Sequence, residues 1–294
     1  MLCLTAFIWG TAFIAQKSGM DTLGACSFNT IRSVIGGITL IPCIFLLDVF
    51  NGRHPSLLGT SKARPLLLGG ILCGLALGIA SLFQQYGIAL TTVGKAGFLT
   101  TLYIFIVPLL GLALGKKVSG ITWLCVVAAV FGMYLLCFKG DGEPLNKGDV
   151  LLLLCAVIFS LHILLIDHFA PQTDPVRMSC IQFFVAGIVS LPGMLLLEPL
   201  HWQNILDGAI PLLYAGVLSS GVAYTLQVVA QKTVHPVVAS LLLSLESVFA
   251  ALGGWVILHE RLSTRELLGC AVIFGAVVVV NCLGTATQKA DRGE

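Results

Sequence analysis

The chain contains about ten apolar segments of roughly 20 residues each, and segments of this kind place it in a membrane. Their length matches a hydrocarbon core about 30 Å thick, in which only helices or closed barrels satisfy every backbone polar group. Barrel strands alternate apolar and polar residues, whereas these segments are continuously apolar. Charged residues make up 10% of the 294 positions, against about 25% in a typical soluble domain. The predicted fold class is therefore an all-α membrane protein.

Polar, turn-forming segments separate the apolar segments and set their boundaries; Asn51 to Pro55 and Pro171 to Pro175 are examples. The first apolar segment has no basic region before it and no small-residue cleavage site, so we interpret it as a helix rather than a signal peptide. The prediction is ten transmembrane helices near residues 2–18, 24–48, 65–88, 94–115, 119–138, 148–168, 176–197, 208–230, 236–258 and 265–284.

The lysine and arginine residues between the spans predict the orientation. With the N-terminus inside, nine of them lie on the inner side and six on the outer side, while Arg32 lies within a span. The inner group includes Lys116 and Lys117, and the outer group includes Lys139 and Lys147. This bias favours a multi-pass protein of the cell (inner) membrane with both termini in the cytoplasm.

The cysteines and the net charge exclude several classes of function. All 10 cysteines lie inside apolar segments and none forms a C-x-x-C pair, so we interpret them as small buried hydrophobes and predict no metal and no cofactor. A net charge of +2 gives no sign of a nucleic-acid partner. The G-x-x-x-x-G-K-[ST] phosphate-binding loop is absent, so no ATP-driven engine is indicated.

The two halves of the chain share one sequence plan. A displacement of 150 residues brings Arg32 onto Gln182, Gly37 onto Gly187 and Pro42 onto Pro192. Each half carries five predicted spans, an odd number, so the two halves have opposite topology. Inverted repeats of this kind recur in secondary transporters, where two similar bundles alternate between inward-open and outward-open states around one central site.

Three parts of the sequence carry a resemblance to a known family: Ile8 to Phe13 in the first span, Lys95 to Tyr103 opening the fourth, and Ser244 to Leu252 with His259 to Ser263 in and after the ninth. They resemble the drug/metabolite transporter superfamily, in its ten-span EamA-type branch. The resemblance implies a transporter of small metabolites, often an exporter of amino acids or related compounds. It also implies two five-helix repeats at 1–140 and 147–284, a polar tail at 285–294, and a central cavity.

Small residues form a stripe along one face of the third span. Gly70, Gly74 and Gly78 make two G-x-x-x-G steps, which predict the close approach of another helix. The corresponding span of the second half offers Gly216 and Ser220. Static helix packing and a sliding surface are both compatible with such a stripe.

Two charged residues lie clearly inside the spans, and each is a candidate functional residue because a charge at a helix centre costs about 2.5 kcal/mol or more. Glu246 lies about 11 residues into the ninth span, roughly 16 Å along the helix and close to the midplane. In a functional interpretation, Arg32 contacts a substrate carboxylate, and Glu246 contacts an amine or exchanges a proton. In a structural interpretation, both hydrogen-bond to neighbouring helices, and the uncharged repeat mate Gln182 favours this role for Arg32.

Five further residues complete the predicted substrate site. His162 lies mid-span in the sixth helix, where it either packs through a hydrogen bond or carries a proton. Trp9 and Tyr103 lie away from the interfacial belts and either stack on a substrate ring or fill space. Gln85 and Gln227 place amides inside the third and eighth spans, where an amide orients a polar ligand without the desolvation cost of a charge.

The sequence therefore predicts a secondary transporter, not an enzyme, whose partners are a small-molecule substrate, membrane lipid and a coupling proton or ion. An intramembrane enzyme is one alternative, but it needs paired carboxylates, a Ser/His pair or a metal constellation at membrane depth, and no such motif occurs. A channel for small polar solutes is another alternative, which an inverted repeat does not exclude.

Overall fold

A computed structural model describes residues 1–52, 54, 56, 63–91, 93–115, 118–137, 146–199, 201–257, 263–280 and 282. All regular secondary structure in these residues is helical, as predicted. The helices of the first half are α1 (Leu2–Gly19), α2 (Ala25–Phe50), α3 (Ala63–Leu90), α4 (Val93–Thr101), α5 (Tyr103–Ala113) and α6 (Gly120–Cys137). Those of the second half are α7 (Lys147–Phe169), α8 (Pro175–Leu197), α9 (Trp202–Asp207), α10 (Ala209–Leu213), α11 (Thr225–Gln231), α12 (Pro236–Leu243), α13 (Leu245–Ile257) and α14 (Thr264–Val279). A 3-10 turn at Ala170–Gln172 follows α7, and a π-helical segment at Tyr214–Tyr224 joins α10 to α11.

Seven helical stretches of the described chain are long and apolar enough to cross a membrane. They are Ala25–Phe50, Ala63–Leu90, Lys95–Ala113, Lys147–Gln172, Pro175–Leu197, Ala209–Gln231 and Pro236–Gly253. The other three predicted spans coincide with α1, α6 and α14, which do not reach the same length or hydropathy. The protein is thus a multi-pass helical membrane protein, and the count of ten spans stays a prediction.

Part of the predicted topology lies outside the described residues. Lys116, Lys117 and Lys139, on which the predicted orientation depends, are among the residues not described, and so are His259 and the C-terminal segment 285–294. The predicted orientation of the termini therefore stays a prediction as well.

Polar residues at the segment boundaries begin several helices. Asn146 and Asp149 form a capping box at the start of α7, in which each side chain accepts a hydrogen bond from the backbone amide of the other, at 3.0 and 2.8 Å. Ser263 and Glu266 form the same arrangement at the start of α14. Asp174 accepts bonds from two amides at the start of α8. These caps satisfy backbone amides that have no partner within the helix.

Two of the predicted spans carry a single tighter turn near their middle, where the backbone stays in the right-handed helical region. Leu102 separates α4 from α5, and Ser244 separates α12 from α13. The amide of Leu102 bonds to the carbonyl of Leu99, which is the three-residue spacing of a tighter helix. The hydroxyl of Ser244 donates to the carbonyl of Leu241 at 2.7 Å, and hydroxyl-to-backbone bonds of this kind bend helices.

The glycine stripe of α3 packs directly against α8. A Cβ atom added to Gly74 would lie 2.6 Å from the Cβ of Val185, where carbon atoms in contact are normally about 3.5–4.0 Å apart. The glycines and their partners on α8 are Gly70 with Ile181, Gly74 with Val185, and Gly78 with Val189. The predicted close contact between helices is confirmed, and it depends on the missing side chains.

Helices from the two halves of the chain pack against each other throughout. The α1 helix packs against α13 and the π-helical segment, α2 against α8 and the π-helical segment, α3 against α7 and α8, and α6 against α14. The outward faces carry exposed leucine, isoleucine, valine and phenylalanine side chains, as lipid contact requires. The polar residues of the spans therefore face the interior, where they meet around a cavity.

Candidate substrate cavity

Helices from both halves of the chain line a cavity of about 470 Å³, a volume that includes the space open at its mouth. Its lining combines charged, amide and aromatic side chains. The lining residues are Trp9, Phe13, Gln16, Arg32, Gln84, Thr100, Tyr103, Phe159, His162, Ile163, Ser219, Tyr224, Gln227, Leu243 and Glu246.

Glu246 enters the cavity from the first turn of α13 and is 4% exposed. Its Oε1 atom accepts a hydrogen bond from the hydroxyl of Tyr103 at 3.0 Å and another from the hydroxyl of Thr101 at 3.2 Å. These two donors flank Leu102, the residue at the tighter turn of the fourth span. The carboxylate therefore lies where the fourth and ninth spans meet.

Arg32 lines the same cavity from α2 and is 5% exposed. Its Nε donates to Oδ1 of Asn29 at 2.9 Å, and its Nη1 donates to Oε1 of Gln16 at 3.1 Å. The ring of Phe28 lies 5.9 Å from the guanidinium carbon. A guanidinium has five N–H donors, and these two bonds to neutral amide oxygens use two of them.

Arg32 and Glu246 do not form an ion pair with each other or with another charged group in the described part of the chain. Charges buried in a membrane protein are normally paired, and the chain does pair others, as between Lys95 and Asp149 at 2.7 Å. One positive and one negative group thus face the same cavity while bonded only to neutral partners.

His162 lies in the wall formed by α7 and is 1% exposed. Its Nε2 lies 3.2 Å from Oε1 of Gln182, the repeat mate of Arg32. The edge of its ring also contacts the rings of Phe159 and Tyr224. The histidine is therefore held by one hydrogen bond and two aromatic contacts, and it still borders the cavity.

Aromatic side chains form much of the remaining wall. Trp9 lies 4.4 Å from Tyr224, measured between ring centroids, and its Nε1 donates to the carbonyl of Ser219 at 3.4 Å. Tyr103 reaches the cavity from α5, where its hydroxyl bonds to Glu246. Trp9 and Tyr103, both predicted from the sequence, thus line the cavity that the two charges also face.

The predicted glutamines divide between the cavity wall and helix packing. Gln227 lines the cavity from α11, and its Oε1 has no hydrogen-bond partner. Gln85 is not among the lining residues, because its Nε2 donates to the backbone carbonyl of Gln16 at 3.1 Å. Its neighbour Gln84 lines the cavity instead. The structure therefore brings together six of the seven predicted site residues and leaves Gln85 outside.

Several lining residues were missed from the sequence, among them Phe13, Gln16 and Tyr224. Phe13 and Gln16 follow Trp9 by four and seven residues, the spacing of one helix face. Extending the predicted site from Trp9 along that face would have found both. Tyr224 ends the π-helical segment, whose altered spacing hides its face from a regular helical pattern.

The described part of the chain contains no group of three or more His, Cys, Asp or Glu side chains placed to hold a metal ion. The nine cysteines whose side chains the structure describes are free thiols. The chemistry that the cavity offers is therefore that of a guanidinium, a carboxylate, amides and aromatic rings.

The fold defines a multi-pass helical membrane protein with a cavity of charged, amide and aromatic side chains between its helices. The chain belongs to the EamA-like transporter family, whose profile matches residues 1–138 and again residues 146–282. The family and the names of its relatives indicate a transporter, and transporters are not enzymes.

Relatives and a solved structure agree with this assignment. A protein of Archaeoglobus fulgidus described as an uncharacterized transporter is 30% identical over 95% of this chain and 84% of its own length. The uncharacterized transporter YoaV of Bacillus subtilis is 24% identical over 90% of each chain. A crystal structure of another protein superposes on this chain with a TM-score of 0.78 over 97% of both chains. The two sequences are 18% identical, so the likeness shows a shared fold.

Proposed function

We propose that the protein is a secondary transporter that moves a small metabolite by alternating access around this cavity, using ten spans in two inverted five-helix repeats. The two matches to the family profile support the division into repeats. The packing of helices supports it too, because the main contacts between the two halves form repeat-related pairs. The pairing of α1 with α13 corresponds to that of α7 with α4 and α5, and the pairing of α2 with the π-helical segment corresponds to that of α8 with α3.

The contact between the fourth and ninth spans also supports a transport site at the centre. Thr101 and Tyr103 lie on either side of the tighter turn in one span, Glu246 follows the tighter turn in the other, and hydrogen bonds join all three residues. In secondary transporters, substrate and coupling-ion sites commonly lie near the midplane where the two repeats meet.

The substrate that fits this cavity is a small zwitterion, an amino acid or a related compound. The observation that carries this proposal is that Arg32 and Glu246 line one cavity and neither has a charged partner. A substrate carboxylate would complete the donors of Arg32, and a substrate ammonium would neutralise Glu246. Both buried charges would then be paired when the substrate is bound, which lowers the cost of holding them in the membrane.

The remaining groups of the cavity suit the rest of such a substrate. Trp9, Tyr224 and Phe13 offer aromatic surface to its side chain, and Gln227 offers a carbonyl oxygen that has no partner. His162 contributes a further polar group. When no substrate is present, a proton on Glu246 would serve the same electrostatic purpose as the ammonium, and this exchange makes a proton the proposed coupling ion.

We further propose that net transport is export across the cell (inner) membrane, with both termini in the cytoplasm. This part rests on the branch that the chain resembles and on the excess of positive charge on the predicted inner side. A cysteine-accessibility map that places both termini on one side and residues 139–147 on the other supports it. Finding the two halves in the same orientation would remove the inverted repeat.

Counterflow in proteoliposomes tests the transport function. Vesicles loaded with an unlabelled mixture of the proteinogenic amino acids should accumulate labelled amino acid transiently and saturably, and the solute should be recovered unmodified. The matching amine and the matching carboxylic acid should compete poorly, because each fills only one of the two charged contacts. Flux that does not saturate would indicate a channel, and a modified product would indicate an enzyme.

Two variants test the assigned roles. Glu246→Gln and Arg32→Gln keep hydrogen-bonding capacity but remove one charge each, and both should lose most counterflow while the purified proteins keep their thermal stability. Asp207→Asn is the matched control, because Asp207 is an exposed carboxylate that does not line the cavity. Normal counterflow by both cavity variants would contradict the zwitterion site.

A further inference from the structure

The repeat displacement of 150 residues that aligns α2 with α8 also aligns their ends. It brings Asp48, near the end of α2, onto Glu198, the residue after α8. It also brings Ser27, at the start of α2, onto Arg177, at the start of α8. In the structure, each carboxylate reaches the start of the other helix. The two helices are therefore joined at both ends by repeat-related residues.

At one end the link is a buried ion pair. The two oxygens of Asp48 accept hydrogen bonds from Nη2 of Arg177 at 2.7 and 2.6 Å, and both side chains are 4% exposed. The same nitrogen donates to the carbonyl of Ser56 at 2.9 Å, and Nη1 donates to Asp174 at 2.9 Å. Arg177 at the start of α8 thus bonds both to the end of α2 and to the chain that follows it.

At the other end the link is a helix cap supplied from a distance. Oε1 of Glu198 accepts the amide of Cys26 at 2.9 Å, and Oε2 accepts the amide of Ser27 at 2.7 Å. The residue before α2 is Gly24, which has no side chain to cap the helix. A carboxylate from α8 therefore satisfies two amides at the start of α2, where negative charge is also favoured by the helix dipole.

Between these ends the two helices stay in contact. Asn29 donates to the hydroxyl of Ser190 at 2.7 Å. The thiol of Cys180 lies 3.5 Å from the carbonyl of Gly37. A Cβ on Gly187 would meet the Cβ of Ser33 at 3.7 Å. Both ends and the middle are joined in one and the same conformation.

We propose that α2 and α8 form a static pair, held at both ends by a clamp of Asp48, Arg177 and Glu198, while other helices move to open the cavity. This proposal rests on the alternating access proposed above. Parting the first end would separate a buried ion pair, and parting the second would leave two amides without partners in an apolar environment.

A disulfide across the pair tests the proposal. The separation of 3.7 Å between the Cβ positions of residues 33 and 187 matches that of natural disulfides, about 3.8 Å, so Ser33→Cys with Gly187→Cys should join on oxidation with copper–phenanthroline. Counterflow of the amino acid mixture should then be the same within about twofold before and after oxidation. A severalfold loss that dithiothreitol reverses would overturn the static pair. Peptide mass spectrometry measures the fraction joined, and wild-type protein treated alike controls for its own cysteines.

A second disulfide separates failure of this inference from failure of the transport mechanism. Thr11 of α1 and Gly253 of α13 belong to different halves, and Cγ2 of Thr11 lies 3.7 Å from the Cβ position of Gly253. Joining them as Thr11→Cys with Gly253→Cys should block counterflow reversibly, because these helices flank the cavity. If oxidation of this variant has no effect on counterflow, the proposal that α1 and α13 part during alternating access is contradicted. If oxidation blocks counterflow only in the α2–α8 variant, the static pair is contradicted.

Two further measurements guard against a double variant that does not fold. Gly193→Cys faces the native Cys26 and repeats the test near Glu198 with a single substitution, although the 3.1 Å between the Cβ positions must widen by about 0.4 Å to reach the range of natural disulfides. In wild-type protein, the amides of Cys26 and Ser27 should stay protected from hydrogen exchange with and without the amino acid mixture. Loss of that protection on adding the mixture would also overturn the proposal.

Discussion

Gly74 provides the sharpest test of how closely the helices pack. In Gly74→Ala the new Cβ would lie 2.6 Å from the Cβ of Val185 and 2.7 Å from the backbone oxygen of Gln182. Carbon contacts are favourable at about 3.5–4.0 Å, so α3 and α8 must separate by about 1 Å. Overpacking of this kind costs about 1–3 kcal/mol. Replacing a helical glycine by alanine gains about 0.8–1.0 kcal/mol from propensity alone, which partly offsets that cost.

A matched control removes the propensity gain from the comparison. Gly275 lies within α14, and a Cβ added there has no neighbour within 4 Å, so Gly275→Ala gains propensity without overpacking. Gly74→Ala should therefore be about 1–3 kcal/mol less stable than Gly275→Ala in chemical denaturation of the detergent-purified proteins. A substitution at the neighbouring Cys73 would be a poorer control than Gly275→Ala, because the Cys73 side chain is fully buried. Equal stability of the two alanine variants would show that α3 does not depend on close contact with α8.

The other predictions concern charged residues. Glu246→Gln should keep its melting temperature but lose most counterflow in proteoliposomes across a pH series, and wild-type-like transport over that series would exclude the carboxylate from the transport site. Arg177→Met should lower the free energy of unfolding by about 3–5 kcal/mol, because it removes the cation that bonds both oxygens of the buried Asp48, whereas Asp48→Asn combined with Arg177→Gln should cost less. The expected order would be contradicted if denaturation showed the double variant to be the less stable. Lys95→Met removes the cation 2.7 Å from Asp149 and should destabilise the junction of α4 and α7. Hydrogen exchange at the start of α7 should then be faster, and unchanged exchange would contradict this.

The sequence predicted the helical fold and six of the residues that line the cavity, because both follow from burial. A charge inside an apolar span must face the interior, and this rule found Glu246 and Arg32. It does not separate adjacent polar residues, since each step along a helix rotates the side chain by about 100°. Gln84 and Gln85 therefore point to different neighbours, and only the structure shows that Gln84 borders the cavity.

Other features depend on contacts between residues distant in sequence. Asp48 and Glu198 lie at the ends of predicted spans, where a charge is expected and needs no special explanation, so their sequence positions alone do not reveal the clamp. The tighter turns at Leu102 and Ser244 fall where the chain has neither glycine nor proline, the usual signals of a helix end. Such features arise from partners that a local pattern does not contain.

The cap that Glu198 provides to α2 also has a consequence for biogenesis. Glu198 follows Ser27 by 171 residues, and ribosomes add about 5–20 residues per second, so the start of α2 waits roughly ten to thirty seconds for its cap. During that time its amides face the membrane boundary without the carboxylate that later bonds them. The first half of the chain therefore inserts as an incomplete unit, and its second helix is finished only when the eighth helix of the fold has been synthesised and has docked beside it.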